Sequence, residues 1–74
     1  MAFEYELIKH IAVLSEANGR TVEVNLISWN KRAPKVDIRR WSADHENIGR
    51  GVALTDDEAR ELYKALKERY GNEG

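Results

Sequence analysis

Asn18-Gly19 stands between two runs that alternate apolar and polar residues, and that arrangement restricts the first part of the chain to an antiparallel hairpin. An Asn-Gly pair supplies the left-handed backbone that a tight two-residue turn needs. After it, Thr21 to Trp29 alternates without a break. Val22, Val24 and Leu26 fall on one parity; Thr21, Glu23, Asn25, Ile27 and Trp29 fall on the other. A period of two is that of a strand with unlike faces, and the valine face is expected to meet the core. Before the turn Glu16-Ala17-Asn18-Gly19, the stretch Phe3 to Ser15 reads as a long bent strand. Phe3, Tyr5 and Leu7 alternate with Glu4 and Glu6, then the parity changes and Ile11 and Val13 continue the pattern. Such a change predicts a bulge, at Ala12 or at Lys9-His10.

The remaining elements follow in order. Asn30 to Pro34 reads as a loop, and Lys35 to Trp41 as a third strand. Val36 and Ile38 share a parity with Arg40; Lys35, Asp37, Arg39 and Trp41 share the other. Arg40, on the core parity, is expected to pair with the helix. Ser42 to Asn47 is a polar loop, and Ile48 to Leu54 a short fourth strand containing Gly49 and Gly51. Thr55-Asp56-Asp57-Glu58 is a capping box that opens a helix running to about Tyr70. Ala59, Leu62, Tyr63, Leu66 and Tyr70 form its apolar stripe, Gly71 ends it, and the last residues to Gly74 form a frayed tail.

The expected fold is therefore α+β: one domain over residues 1–74, with a curved four-stranded antiparallel sheet followed by one C-terminal helix. The helix is expected to cover one sheet face. The other would display Asn25, Trp29, Lys35, Arg39 and Trp41. A chain of 74 residues builds a marginal core, it has no cysteine, and its two histidines are too few for a structural zinc site. A homodimer is the expected remedy.

Chemistry concentrates between Trp29 and Trp41. Lys31, Arg32, Lys35, Arg39 and Arg40 accompany two indoles and a single acid, Asp37. Phosphates call for cations, and unpaired bases call for flat apolar surfaces, so this segment suits a single-stranded nucleic acid. The net charge of −1 is segregated along the chain: residues 30–50 carry +3, while residues 1–29 and 51–74 carry −2 each. Segregation in space would give one basic face. His45 lies between Asp44 and Glu46, but consecutive side chains in a loop diverge, and no nucleophile–base pair or glycine-rich phosphate loop is present. No enzyme, cofactor, metal or small-molecule substrate is expected. No charged start leads into an apolar segment, and no apolar run nears the roughly 20 residues of a membrane span. The expected location is the cytoplasm, in association with the nucleoid.

The order S-W-N-x-x-x-P-K-V-D-I-R-R-W, then D-H-E-x-x-G-R-G-V-x-L-T-x-x-E, resembles the bacterial branch of the transcriptional-coactivator family named after positive cofactor 4. The resemblance covers about residues 5–68. It implies four antiparallel strands plus a helix, homodimers, and paired curved sheets that bind single-stranded DNA with little sequence preference. It implies that Arg39 is the backbone-contacting arginine of the D-I-R motif and that Trp41 sits at or beside a base-stacking aromatic. Lys31, Arg32 and Lys35 fall where the family carries DNA-contacting lysines, and Arg50 falls at a basic position of the fourth strand. The serine- and lysine-rich tail of eukaryotic members has no counterpart in these 74 residues. RNA remains a second ligand, since nothing in the sequence reads or excludes a 2′-OH. The alternative is a protein-interaction module whose tryptophan face docks another protein, with the cations as a polar rim.

Overall fold

The computed structural model describes residues 4–71; Phe3 and the expected tail Asn72 to Gly74 lie outside them. The elements are β1 (Tyr5–Ala17), β2 (Arg20–Trp29), β3 (Lys35–Ser42), β4 (Ile48–Leu54) and α1 (Asp56–Tyr70). The strands pair antiparallel in chain order. Asn18 and Gly19 both have positive φ, 54° and 74°, as the tight hairpin requires. A second such turn closes β2: Asn30 and Lys31 have φ of 51° and 63°, and the Arg32 N–H donates to the Trp29 carbonyl at 3.0 Å. Both ends of the capping box are made. The Glu58 N–H donates to Thr55 Oγ1 at 3.1 Å, and the Thr55 N–H donates to Glu58 Oε1 at 2.8 Å.

Cross-strand pairing carries the sequence parities intact. Thr21 with Trp41, Glu23 with Arg39, Asn25 with Asp37 and Ile27 with Lys35 share one face. Val22 with Arg40, Val24 with Ile38 and Leu26 with Val36 share the other. Strand β1 carries three register shifts, between Leu7 and Lys9, His10 and Ala12, and Val13 and Ser15, where one bulge was expected. Each shift adds bend and twist. The result is strong coiling. Tyr5 pairs with Trp29, and Trp41 pairs with Thr21 at the far end of β2. Eight residues of flat strand span about 26 Å. The Tyr5 and Trp41 ring centroids are nevertheless 6.0 Å apart.

Coiling reverses the expected core. The buried residues are Ile27, Trp41, Glu23, Asn25 and Asp37, all on the concave face. Val22, Val24 and Leu26 are half-buried, and Val52 is exposed. Nor does α1 cover a sheet face. It leaves the edge strand β4 through the single residue Thr55, touches only β3 and β4, and buries none of its own residues. Leu62, Tyr63, Leu66 and Tyr70 stay exposed, as do Ile8, Ile11 and Val13 of β1. Arg40 is likewise exposed and, among the described residues, forms no ion pair with the helix.

Candidate nucleic-acid interface

Two residues apart on β3, Asp37 and Arg39 project to the same concave face and form a fork. Arg39 Nε donates to Asp37 Oδ1, and Arg39 Nη2 donates to Oδ2 at 2.7 Å. The third guanidinium nitrogen, Nη1, donates to the Gly49 carbonyl at 3.3 Å. Arg39 Cζ lies 4.8 Å from the Trp29 ring centroid, a cation–π distance. Asp37 is fully buried and the Arg39 side chain is 15% exposed. A guanidinium has five N–H donors. Three are engaged here among the described residues, and the carboxylate beneath fixes the plane of the group. Opposite Arg39 stands Gly51, and a Cβ built there would lie 2.1 Å from Arg39 Cβ and 2.4 Å from the Ile38 carbonyl oxygen. The glycine of the fourth strand is thus a spatial requirement of the arginine on the third.

Of the residues expected on an open platform, Asn25 and Trp41 are closed off. Asn25 has no exposed surface, and Trp41 is 2% exposed, beneath Tyr5 and the His45 ring, whose centroid is 5.4 Å away. Trp29 is half-buried, between Arg39 and Tyr5. The indoles are part of the concave core, and the surface a ligand meets there is Tyr5, Arg39 and an edge of Trp29.

A carboxylate that sequence reasoning passed over lies beside them. Glu23 accepts from Thr21 Oγ1 at 2.6 Å and stands 2.8 Å from His45 Nε2, with Asn25 Nδ2 at 3.5 Å and His10 Nδ1 at 3.8 Å. Burial pushes its pKa up and is the largest single influence. The hydrogen bonds from Thr21, His45 and Asn25, with the His45 charge, together outweigh burial and hold Glu23 below its ordinary value. His45 is 22 positions from Glu23 and its backbone is left-handed, so no local spacing announces the pair. Among the described residues, no group of three His, Cys, Asp or Glu side chains is placed to hold a metal ion.

The cations expected at the interface divide between two places. Lys31, Arg32 and Lys35 project from the β2–β3 connection, and among the described residues none of them forms an ion pair. The turn is pinned by Ser28 Oγ donating to the Arg32 carbonyl at 2.6 Å. Arg50 does not join them. It shares a shallow cavity with Arg40, Val22 and Ile38 at the other end of the hairpin, and Arg20 lies beside Arg40 in the adjoining one.

Comparison with known proteins bears on the same region. The family model described as Transcriptional Coactivator p15 (PC4) matches residues 17–65, from the end of β1 into α1. An uncharacterized protein of Treponema pallidum (strain Nichols) is 46% identical over 54 residues, which cover 72% of this chain and 64% of that protein. The matched span includes Asp37, Arg39, Gly51 and the Thr55 cap, and the chain belongs to the transcriptional coactivator p15 (PC4) family.

Proposed function

We propose that this protein is a homodimer that binds single-stranded DNA with low sequence specificity, in the cytoplasm and on the nucleoid. The observation that carries the reading is the Arg39 guanidinium, fixed by Asp37 over Trp29 and still reaching solvent on the concave face. Phosphates are drawn to the exposed Lys31, Arg32 and Lys35 and to Arg39; Arg50 extends the charge at the far end of the sheet. Bases stack on Tyr5, an interaction any base can make. Asn25 and Trp41 act from beneath, holding the face in shape. RNA fits the same chemistry, because no group is set to read a 2′-OH. Family membership supports a nucleic-acid ligand. The dimer is supported by the two apolar surfaces one chain leaves open, the valine face of the sheet and the Leu62–Leu66 stripe of α1.

The exposed apolar surfaces also favour a second reading, a protein-docking module. Anisotropy of a labelled oligo-dT of about 20 nucleotides separates the two. Saturable binding that the triple replacement of Lys31, Arg32 and Lys35 by alanine weakens at least about tenfold supports the nucleic-acid reading. No binding at low salt rejects it.

A further inference from the structure

The Glu23 cluster has no part in the interface as described so far, yet it occupies the same concave face. Its carboxylate is held by groups from three segments of the chain. Strand β1 supplies His10, whose Nδ1 also lies 2.7 Å from Asn25 Oδ1. Strand β2 supplies Thr21 and Asn25, and the β3–β4 loop supplies His45. The loop is itself fixed: Ser42 Oγ donates to Asp44 Oδ1 at 2.6 Å, and the Glu46 N–H donates to the same oxygen at 2.9 Å.

The charged groups facing the cluster are few. β1 gives His10 and, opposite Thr21, Glu16; β2 gives Glu23 itself; β3 gives Lys35, opposite Ile27, with Asp37 and Arg39, which are paired with each other. The loop gives His45 with Asp44 and Glu46 as its chain neighbours. β4 gives Gly49 and Gly51 and no charge toward Arg39. Glu16, Glu23 and Asp37 against Lys35 and Arg39 therefore sum to −1 with both imidazoles neutral, and the face becomes +1 when both are protonated. The imidazoles are also the outermost groups. Their side chains are 49% and 48% exposed, whereas Glu23 beneath them is 4% exposed. A strand arriving at the face meets the histidines before it meets the carboxylate.

We infer that His10 and His45 are ligand-contacting groups of the concave face, and that proton uptake by them strengthens that face's hold on phosphate. Glu23 is a positioning residue: its buried carboxylate stands 2.8 Å from the His45 ring and 3.8 Å from His10, which it faces beside Asn25. The inference rests on the nucleic-acid reading above and adds to it two residues and a pH range. Histidine is the side chain whose charge changes between about pH 5 and 8. The sequence contains no histidine besides these two.

The test is the affinity for labelled oligo-dT at constant ionic strength from pH 8 to pH 5.5. The wild-type protein should bind at least about tenfold more tightly at the acid end, with a steeper salt dependence there. The double variant H10Q/H45Q keeps hydrogen-bonding side chains but cannot take up protons, and it should lose that pH dependence. A second readout needs no ligand. In proton NMR spectra of the free protein, Glu23→Gln should move the ring resonances of His45, whose Nε2 loses its carboxylate partner. Wild-type binding that is equal at pH 5.5 and pH 8 overturns the inference and leaves the nucleic-acid reading standing, as does a double variant that keeps the full pH dependence. His45 ring resonances unmoved by Glu23→Gln overturn the positioning role. No binding of oligo-dT at any pH overturns both the inference and the reading beneath it.

Discussion

Replacing either member of the Asp37–Arg39 fork should destabilise the fold, but unequally, and the inequality follows from burial. Asp37 is wholly inside, while Arg39 reaches solvent at one edge. Arg39→Met leaves a buried carboxylate without its cation, the situation that costs about 3–5 kcal/mol when an ion pair is broken from one side. It also removes the contact with Trp29, worth about 0.5–1 kcal/mol. Asp37→Asn leaves a guanidinium that can turn toward water and keep the indole, so about 1–2 kcal/mol is expected, the cost of an imperfectly satisfied polar group. The double variant removes both charges and should lie well short of the sum, giving a coupling of about 2 kcal/mol. Urea unfolding at pH 7 and constant protein concentration measures all four corners of the cycle. A stabilising osmolyte present throughout keeps the weakest variant folded. Equal losses from the two single variants, or a coupling below about 0.5 kcal/mol as for exposed pairs, would refute the view that Arg39 is held by a buried carboxylate.

Gly51→Ala places a Cβ within 2.1 Å of Arg39 Cβ and should lower stability by about 2–3 kcal/mol in the same urea assay. Thr55→Ala removes one side of the capping box and should cost about 1 kcal/mol, with α1 helicity falling in far-ultraviolet circular dichroism. Glu23 has a folded pKa below its ordinary value of 4.5, so its contribution to stability is present above that value and lost as pH falls through the folded one. Glu23→Gln should therefore flatten the acid limb of the stability profile below about pH 4.5 and remove stability at neutral pH. Size measurement in solution should give a dimer, and Leu62→Glu with Leu66→Glu on the exposed stripe should give a monomer.

Strand order, both hairpin turns, the capped helix and the two face sets were legible because each rests on local chemistry. Positive φ favours Asn18-Gly19, the strand period separates Val22 from Glu23, and Thr55 and Glu58 reach each other within one turn. What the sequence did not disclose was which face would close. Parity assigns residues to faces but is silent on curvature. Three shifts in β1, rather than one bulge, coil the sheet until Tyr5 reaches Trp41. That buries Trp41 and Asn25, which a flat sheet would have displayed. Arg40 was assigned to the helix on parity alone, but a helix hung from an edge strand by one residue does not reach across the sheet. The Glu23–His45 contact was hidden because a loop of left-handed backbone returns a side chain to a strand two elements earlier. The need for Gly51 shows only once Arg39 is seen opposite it.

The salt dependence of oligo-dT binding tests most directly whether this surface works by phosphate contact. Lys31, Arg32, Lys35 and Arg39 make four candidate contacts in each chain, and single strands release about 0.7 counterion per contact. The logarithm of the binding constant should then fall with the logarithm of salt concentration at a slope of about −3 per chain. A slope near zero with retained binding would contradict phosphate recognition and point instead to an apolar docking face.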